Sequence, residues 1–341
     1  MLNKVYRLVE PRLFEPVEVQ IETEEANVIV RPTHLSICNA DQRYYQGTRA
    51  PEVLAKKMPM ALIHEGIGSV VYDPTNTFNL GDCVVMIPNT PSENSDVIAE
   101  NYLPSTSFCG SGHDGFMQEY ISAPASLFVK LPDGVDENVA SFSELVSVSM
   151  HAIDRFSEIA HKKRELIGIW GDGNLGYITA VLLHHIFPET KLIIFGRTQS
   201  KLSNFTFADQ VHISNSIPKD LHVDHAFECC GGTGAESAIN QIIDTISPEG
   251  AISLLGVSEN PPAINTRMVL ERGLRLFGSS RSGRRDFENL VSLYRKYPAV
   301  PEYLKTLAVS TVSVASIKDM HTAFNLDMIN TNGKTIMEWN V

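Results

Sequence analysis

A chain of 341 residues, 43% hydrophobic and 20% charged, has the composition of a globular protein long enough for two cores. A net charge of −12 with no long basic run argues against nucleic-acid or anionic-membrane binding, so a phosphate ligand would need local basic groups working against the overall field. No apolar run approaches transmembrane length and residues 1–30 lack a signal-peptide pattern. The five cysteines (Cys38, Cys83, Cys109, Cys229, Cys230) form an odd count without framework spacing, so a reducing cytoplasmic setting is expected.

Up to about residue 145 the chain reads as β-rich. Strand-like runs at 27–31, 68–72, 83–88 and 116–121 are separated by Pro, Gly and Asn turns. The polar stretch 89–112 has little periodicity and reads as a long excursion, and 145–160 reads as a helix. The pattern then changes to alternation. A strand at 166–170 is followed by a helix-compatible run at 177–187, and strand runs recur at 191–195, 224–229, 251–256 and 274–279, which predicts a parallel doubly wound sheet. The roughly 60 residues after Ser279 are too few for a third ordinary domain. The expected organisation is α/β: a β-rich domain over 1–147, a dinucleotide-binding domain over 148–283, and 284–341 completing the first.

Between the first strand of that sheet and its helix lies Gly171-Asp172-Gly173-Asn174-Leu175-Gly176. In this strand–turn–helix context G-x-G-x-x-G reads as a dinucleotide site. The first glycine permits the tight turn, the second lets the backbone approach a pyrophosphate, and the third lets the helix pack close, with its N-terminus facing the anion. A glycine-rich turn without a ligand is the plain alternative. An NAD site usually carries an acid at the end of the second strand, yet Lys191–Phe195 runs into Gly196-Arg197-Thr198-Gln199-Ser200-Lys201. Arg197, Thr198, Ser200 and Lys201 can hold a 2′-phosphate, which favours NADP; a solvated basic turn is the alternative.

Cys38, His64, Glu65 and Glu144 are dispersed in sequence, so their spacing alone decides nothing. A lone Cys is usually a small buried hydrophobe and a His–Glu pair is usually satisfied locally. Cys, His and carboxylate are also the donors of a catalytic zinc that keeps one position open.

Several further stretches recur in order: Cys38-Asn39-Ala40-Asp41, Ile63-His64-Glu65-Gly66-Ile67-Gly68, Gly81-Asp82-Cys83-Val84, Gly112-His113-Asp114-Gly115-Phe116, Glu144-Leu145, the glycine turn, Phe227-Glu228-Cys229-Cys230-Gly231-Gly232 and Gly333-Lys334-Thr335. Together they resemble the zinc-dependent medium-chain dehydrogenase/reductases of the polyol dehydrogenase kind over essentially the whole chain. Ala40-Asp41-Gln42-Arg43-Tyr44-Tyr45, Pro88-Asn89-Thr90-Pro91, Asp96-Val97-Ile98-Ala99-Glu100-Asn101-Tyr102 and Gly278-Ser279-Ser280-Arg281-Ser282-Gly283 narrow the resemblance. They are similar to the NADPH-dependent ribulose-5-phosphate reductases that make ribitol 5-phosphate for poly(ribitol phosphate) wall teichoic acid.

The resemblance implies a Rossmann domain beside a GroES-like catalytic domain, NADPH as cofactor and one catalytic zinc per chain. Cys38, His64 and Glu144 would ligate the zinc. Glu65 would be a fourth or displaceable ligand, because adjacent side chains diverge unless the backbone is distorted. The four cysteines of a structural zinc are absent from the excursion, where only Cys109 stands, so no second zinc is expected. Ala40 replaces the relay hydroxyl common in the family, which leaves a zinc-bound water, Tyr44, Tyr45 or the cofactor ribose to carry the proton. Arg43 is the first choice for a substrate phosphate and Arg49 a weaker one; Arg281, Arg284 and Arg285 are plausible because they follow the last strand of the doubly wound sheet, whose end borders the ligand crevice; Lys334 would touch cofactor pyrophosphate or substrate, and His113 could join the site. The rival readings are another zinc-dependent polyol dehydrogenase and a non-catalytic nucleotide-binding scaffold or sensor. A homodimer, and association with a ribitol-5-phosphate cytidylyltransferase, are the implied partners.

Overall fold

The computed structural model describes residues 1–21, 26–218, 220–330 and 332–341. The chain divides into two compact units, Met1–Ser147 with Ser282–Val341, and Val148–Arg281.

The first unit is built on two sheets. A small antiparallel sheet has the order Leu13–Gln20, Leu2–Glu10, Met60–Ala61. A larger one runs Phe128–Lys130, Cys83–Met86, Glu65–Tyr72, Asn27–Ser36, Lys334–Trp339, Ala308–Val314, with Ile121–Pro124 also pairing Asn27–Ser36. Along Leu2–Glu10 the buried positions are Asn3, Val5, Tyr6 and Leu8, and Val5, Tyr6 and Leu8 join a core that also holds Leu35, Tyr44, Tyr45, Phe128 and Phe324. The C-terminal stretch enters this unit as a strand: Lys334–Trp339 lies antiparallel to Asn27–Ser36, with Ile336 opposite Ser36. The expected strand at 116–121 forms only from Ile121 onward. Phe116 and Met117 are apolar because they are buried against the loop before Glu65, to which they donate backbone hydrogen bonds at Ile63 O (2.7 Å) and Leu62 O (3.3 Å). The excursion at 89–112 holds one short strand pair, Asn89–Thr90 with Ser107–Phe108.

The second unit is a six-stranded parallel sheet of order Gln210–Ile213, Lys191–Gly196, Leu166–Trp170, His225–Glu228, Ala251–Leu254, Arg275–Gly278. Strands buried on both faces read as continuous apolar runs, which is why Leu166–Trp170 and Lys191–Gly196 are legible. Gln210–Ile213 is an edge strand, half exposed and carrying Gln and His, and its sequence gives no such signal. The chain order reverses beside Leu166–Trp170, so its carboxyl end is the topological switch point where a doubly wound sheet opens a ligand crevice.

Candidate active site

Cys38 precedes the helix Asn39–Tyr45, and its N–H donates to Asp41 Oδ2 at 3.1 Å. The other oxygen of the same buried carboxylate accepts the Ile63 N–H at 3.0 Å and lies 3.5 Å from His64 Nδ1. Asp41 thus ties the Cys38 turn to the His64 segment. Ile63 has φ 72°, a left-handed conformation unusual for a β-branched residue. Its surroundings impose it: Ile63 N–H is held by Asp41, Ile63 O by Phe116 N–H, and Gly115 sits where a Cβ would come within 2.2 Å of Ile63 O. Directly after this turn both His64 and Glu65 are buried, at 7% and 0% exposure. Ligand atoms of Cys38, His64 and Glu65 lie within 4.8 Å of one another.

Lys334, expected at the cofactor or substrate, pairs here with Glu65, its Nζ 2.9 and 2.8 Å from the two carboxylate oxygens. Burial opposes the Lys334 charge, but Glu65, Cys38 and Asp327 outweigh it and raise the pKa. Burial likewise lowers His64 while Asp41 and Cys38 outweigh it, so its pKa is raised well above the ordinary value. Glu144 sits in the first turn of the helix Ser143–Ile159, buried but outside the close trio. Burial pushes its carboxyl up to about 7; His64 and Lys334 draw it down, Glu65 and Asp41 push it up. The donors fit a metal. Thiolate, imidazole and carboxylate are zinc ligands, and a carboxylate facing one ring nitrogen is the arrangement that orients a metal-binding histidine through its other nitrogen.

Arg43 is half-buried, and burial together with Arg49 lowers its pKa. The Arg49 guanidinium stacks 4.5 Å from the Tyr44 ring centroid, with Nη2 3.5 Å from Ala40 O. Lys57, which no motif singles out, lies 6.0 Å from the same ring and donates to Ser111 Oγ at 2.8 Å. Tyr44 is buried and its hydroxyl has no partner among the described residues. Tyr45 is engaged, with its hydroxyl 2.9 Å from His321 Nδ1. Arg281 is exposed at φ 58°. Arg284 reaches the carbonyls of Ala125, Ser126 and Phe128 and pairs with Glu288, a structural placement. His113 is exposed.

In the second unit Gly171 has φ 134°, and a Cβ on Gly176 would lie 2.0 Å from Gly171 O, so the turn requires both glycines. A Cβ on Gly173 would meet nothing within 4 Å, which leaves open space at the N-cap of the helix Asn174–Ile186, where Asn174 and Leu175 begin. At the end of Lys191–Gly196, Arg197, Thr198 and Ser200 are exposed and Lys201 half-buried. Asp172, unremarkable in sequence, faces this loop: its Oδ2 accepts the backbone N–H groups of Arg197 at 2.8 Å and Thr198 at 2.7 Å. No helix among the described residues is long and apolar enough to cross a membrane.

A unit carrying a Cys–His–carboxylate cluster and a doubly wound unit with an open dinucleotide turn define an alcohol-dehydrogenase-type oxidoreductase. Residues 24–133 match the alcohol dehydrogenase GroES-like domain family. The chain is 52% identical over 341 residues to the ribulose-5-phosphate reductase of Bacillus spizizenii, covering 100% of both chains. It is 53% identical over 339 residues to ribulose-5-phosphate reductase 1 of Staphylococcus aureus, covering 99% of each. The crystal structure of S. aureus TarJ in complex with NADPH superposes with a TM-score of 0.90 at 48% identity over 100% of both chains. The chain belongs to the medium-chain dehydrogenase/reductase family, in its ribulose-5-phosphate reductase group.

Proposed function

We propose that this chain reduces D-ribulose 5-phosphate to D-ribitol 5-phosphate with NADPH, supplying CDP-ribitol for poly(ribitol phosphate) wall teichoic acid. The observation that carries the reading is identity above one half along the full length of reductases from two organisms. Cys38, His64 and Glu144 would hold a zinc ion, with Glu65 as a fourth or displaceable ligand. Zinc bound there supplies a Lewis acid that stabilises negative charge developing on a carbonyl oxygen. NADPH supplies the hydride.

The remaining work falls to this chain's own groups. Asp41 orients His64 and Lys334 fixes Glu65, which limits the positions the donor atoms can take. Gly173 leaves room for the pyrophosphate against Asn174, Leu175 and Gly176 at the helix start. Arg197, Thr198, Ser200 and Lys201 take the 2′-phosphate. Arg43 and Arg281 are the cations assigned to the substrate phosphate. Tyr44 would donate or pass a proton, since Ala40 offers no hydroxyl; its buried hydroxyl, unpartnered among the described residues, supports that role. The protein would work as a cytoplasmic homodimer, and a ribitol-5-phosphate cytidylyltransferase would consume its product.

The test is NADPH oxidation by the zinc-loaded protein with ribulose 5-phosphate beside unphosphorylated ribulose. Turnover confined to the phosphate ester is expected; turnover with neither ketose would discard the substrate assignment.

A further inference from the structure

The loop expected to select NADPH is held by an acid. Asp172 lies inside the glycine turn, and its Oδ2 accepts the Arg197 N–H at 2.8 Å and the Thr198 N–H at 2.7 Å. A third strut joins the same two turns, because Gly171 N–H donates to Phe195 O at 2.8 Å. The contact depends on the residue at the end of the second strand. A Cβ built on Gly196 would lie 2.6 Å from Asp172 Cβ and 2.8 Å from its Oδ2, while Gly196 has no positive φ that would itself demand glycine. Glycine therefore stands at 196 to admit the Asp172 side chain.

An acid next to a 2′-phosphate would ordinarily repel it. Here the carboxylate is turned onto two backbone donors, a charge-assisted arrangement that spreads its charge over the N–H dipoles. Those same donors, left free on adjacent residues, would form a small anion-binding concavity of their own. With Asp172 occupying them, the loop backbone is fixed and discrimination passes to the side chains of Arg197, Thr198, Ser200 and Lys201. We infer that Asp172 is a positioning residue for cofactor selection: it locks the turn that takes the pyrophosphate to the loop that takes the 2′-phosphate, at a set separation. This rests on the NADPH reading above, since a chain without that cofactor would have no use for the lock.

Equilibrium binding of NADPH and NADH, followed by nicotinamide fluorescence without substrate, separates the two. Asp172→Ala should weaken NADPH binding on the order of tenfold, as expected for losing two charge-assisted bonds that order a loop, and change NADH less than about threefold. Asp172→Asn keeps an oxygen able to accept both N–H groups and should stay within about threefold of the parent for NADPH. Gly196→Ala should reproduce the NADPH loss by pushing Asp172 away, and should cost little more when added to Asp172→Gly, which removes the Cβ 2.6 Å from the new methyl together with the carboxylate. Equal weakening of both cofactors, an unchanged NADPH constant, tighter NADPH binding in Asp172→Ala, or simple additivity of the two substitutions would each overturn the inference. A parent protein that binds neither nucleotide would instead bring down the cofactor reading beneath it.

Discussion

Lys334→Met isolates the charge that holds Glu65. Lys334 is 3% exposed and Glu65 0%, and Nζ lies 2.9 and 2.8 Å from the two carboxylate oxygens. Methionine keeps most of the aliphatic stem, so the change removes a charge and three donors without opening a large cavity. Removing one partner of a buried pair leaves the other uncompensated and costs about 3–5 kcal/mol. At about 2–4 °C per kcal/mol for a unit of this size, the first unit should lose roughly 6–20 °C in its calorimetric midpoint. Lys334 also draws down the Glu144 carboxyl, so that group should hold its proton to higher pH in the variant. Calorimetry should be run on zinc-loaded and chelator-treated protein, because an ion bound at Glu65 would mask part of the lost charge. The double variant Lys334→Met with Glu65→Gln should recover at least half of the loss, since no buried charge is then left unpaired. A loss below about 1 kcal/mol in chelator-treated Lys334→Met would refute the reasoning.

Cys38→Ser should take bound zinc from one ion per chain to none and lower NADPH oxidation by about a hundredfold or more; retained zinc with full turnover removes Cys38 from the site, and two tightly held ions per parent chain would contradict the single-zinc reading. Arg43→Ala should lower kcat/KM for ribulose 5-phosphate by about tenfold and leave unphosphorylated ketose unaffected, and equal effects on both would exclude Arg43 from the phosphate. Burial, then His161, pushes the His225 pKa down to about 4. Because the unfolded chain takes up a proton near the ordinary value of 6.5 that the folded protein refuses until about 4, stability should be full above pH 6.5 and fall by about 3 kcal/mol down to pH 4. Urea midpoints should show that window flattened in His225→Phe, and an unchanged pH slope would acquit His225.

The glycine turn and the strand–helix alternation after it were legible because each depends on local sequence: glycine where φ or close approach demands it, and continuous apolar runs where a strand is buried on both faces. Gln210–Ile213 was not, because an edge strand needs no apolar run. Phe116 misled for the opposite reason, being apolar for packing while its backbone bonds serve the Ile63 turn. At the site the residue types were readable but the supports were not. Asp41 three residues after Cys38 looks like a helix-capping acid, and nothing local announces that its second oxygen reaches Ile63 and His64. Nor does any pattern announce φ 72° at an isoleucine; that conformation is imposed by Asp41, Phe116 and Gly115, the last two more than 50 residues away.

These supports share a device that bears on the chain's charge. Asp41 accepts from Cys38 and Ile63 N–H, Asp172 from Arg197 and Thr198, Asp114 from Ala61 as well as Arg7, and Glu228 from Cys230, Gly231 and Gly256. Each carboxylate faces backbone amides near a glycine turn, a strand end or the metal-type cluster, and each such charge-assisted bond contributes about 1.5–3 kcal/mol. Asp41, Asp172, Asp114 and Glu228 are therefore spent on holding loops, with their charge met at short range by N–H dipoles. An excess of 40 acidic over 28 basic residues is in this way compatible with binding phosphorylated ligands. On the proposed assignment, a cofactor phosphate would meet Arg197 and Lys201 on a loop whose backbone Asp172 holds at Arg197 and Thr198.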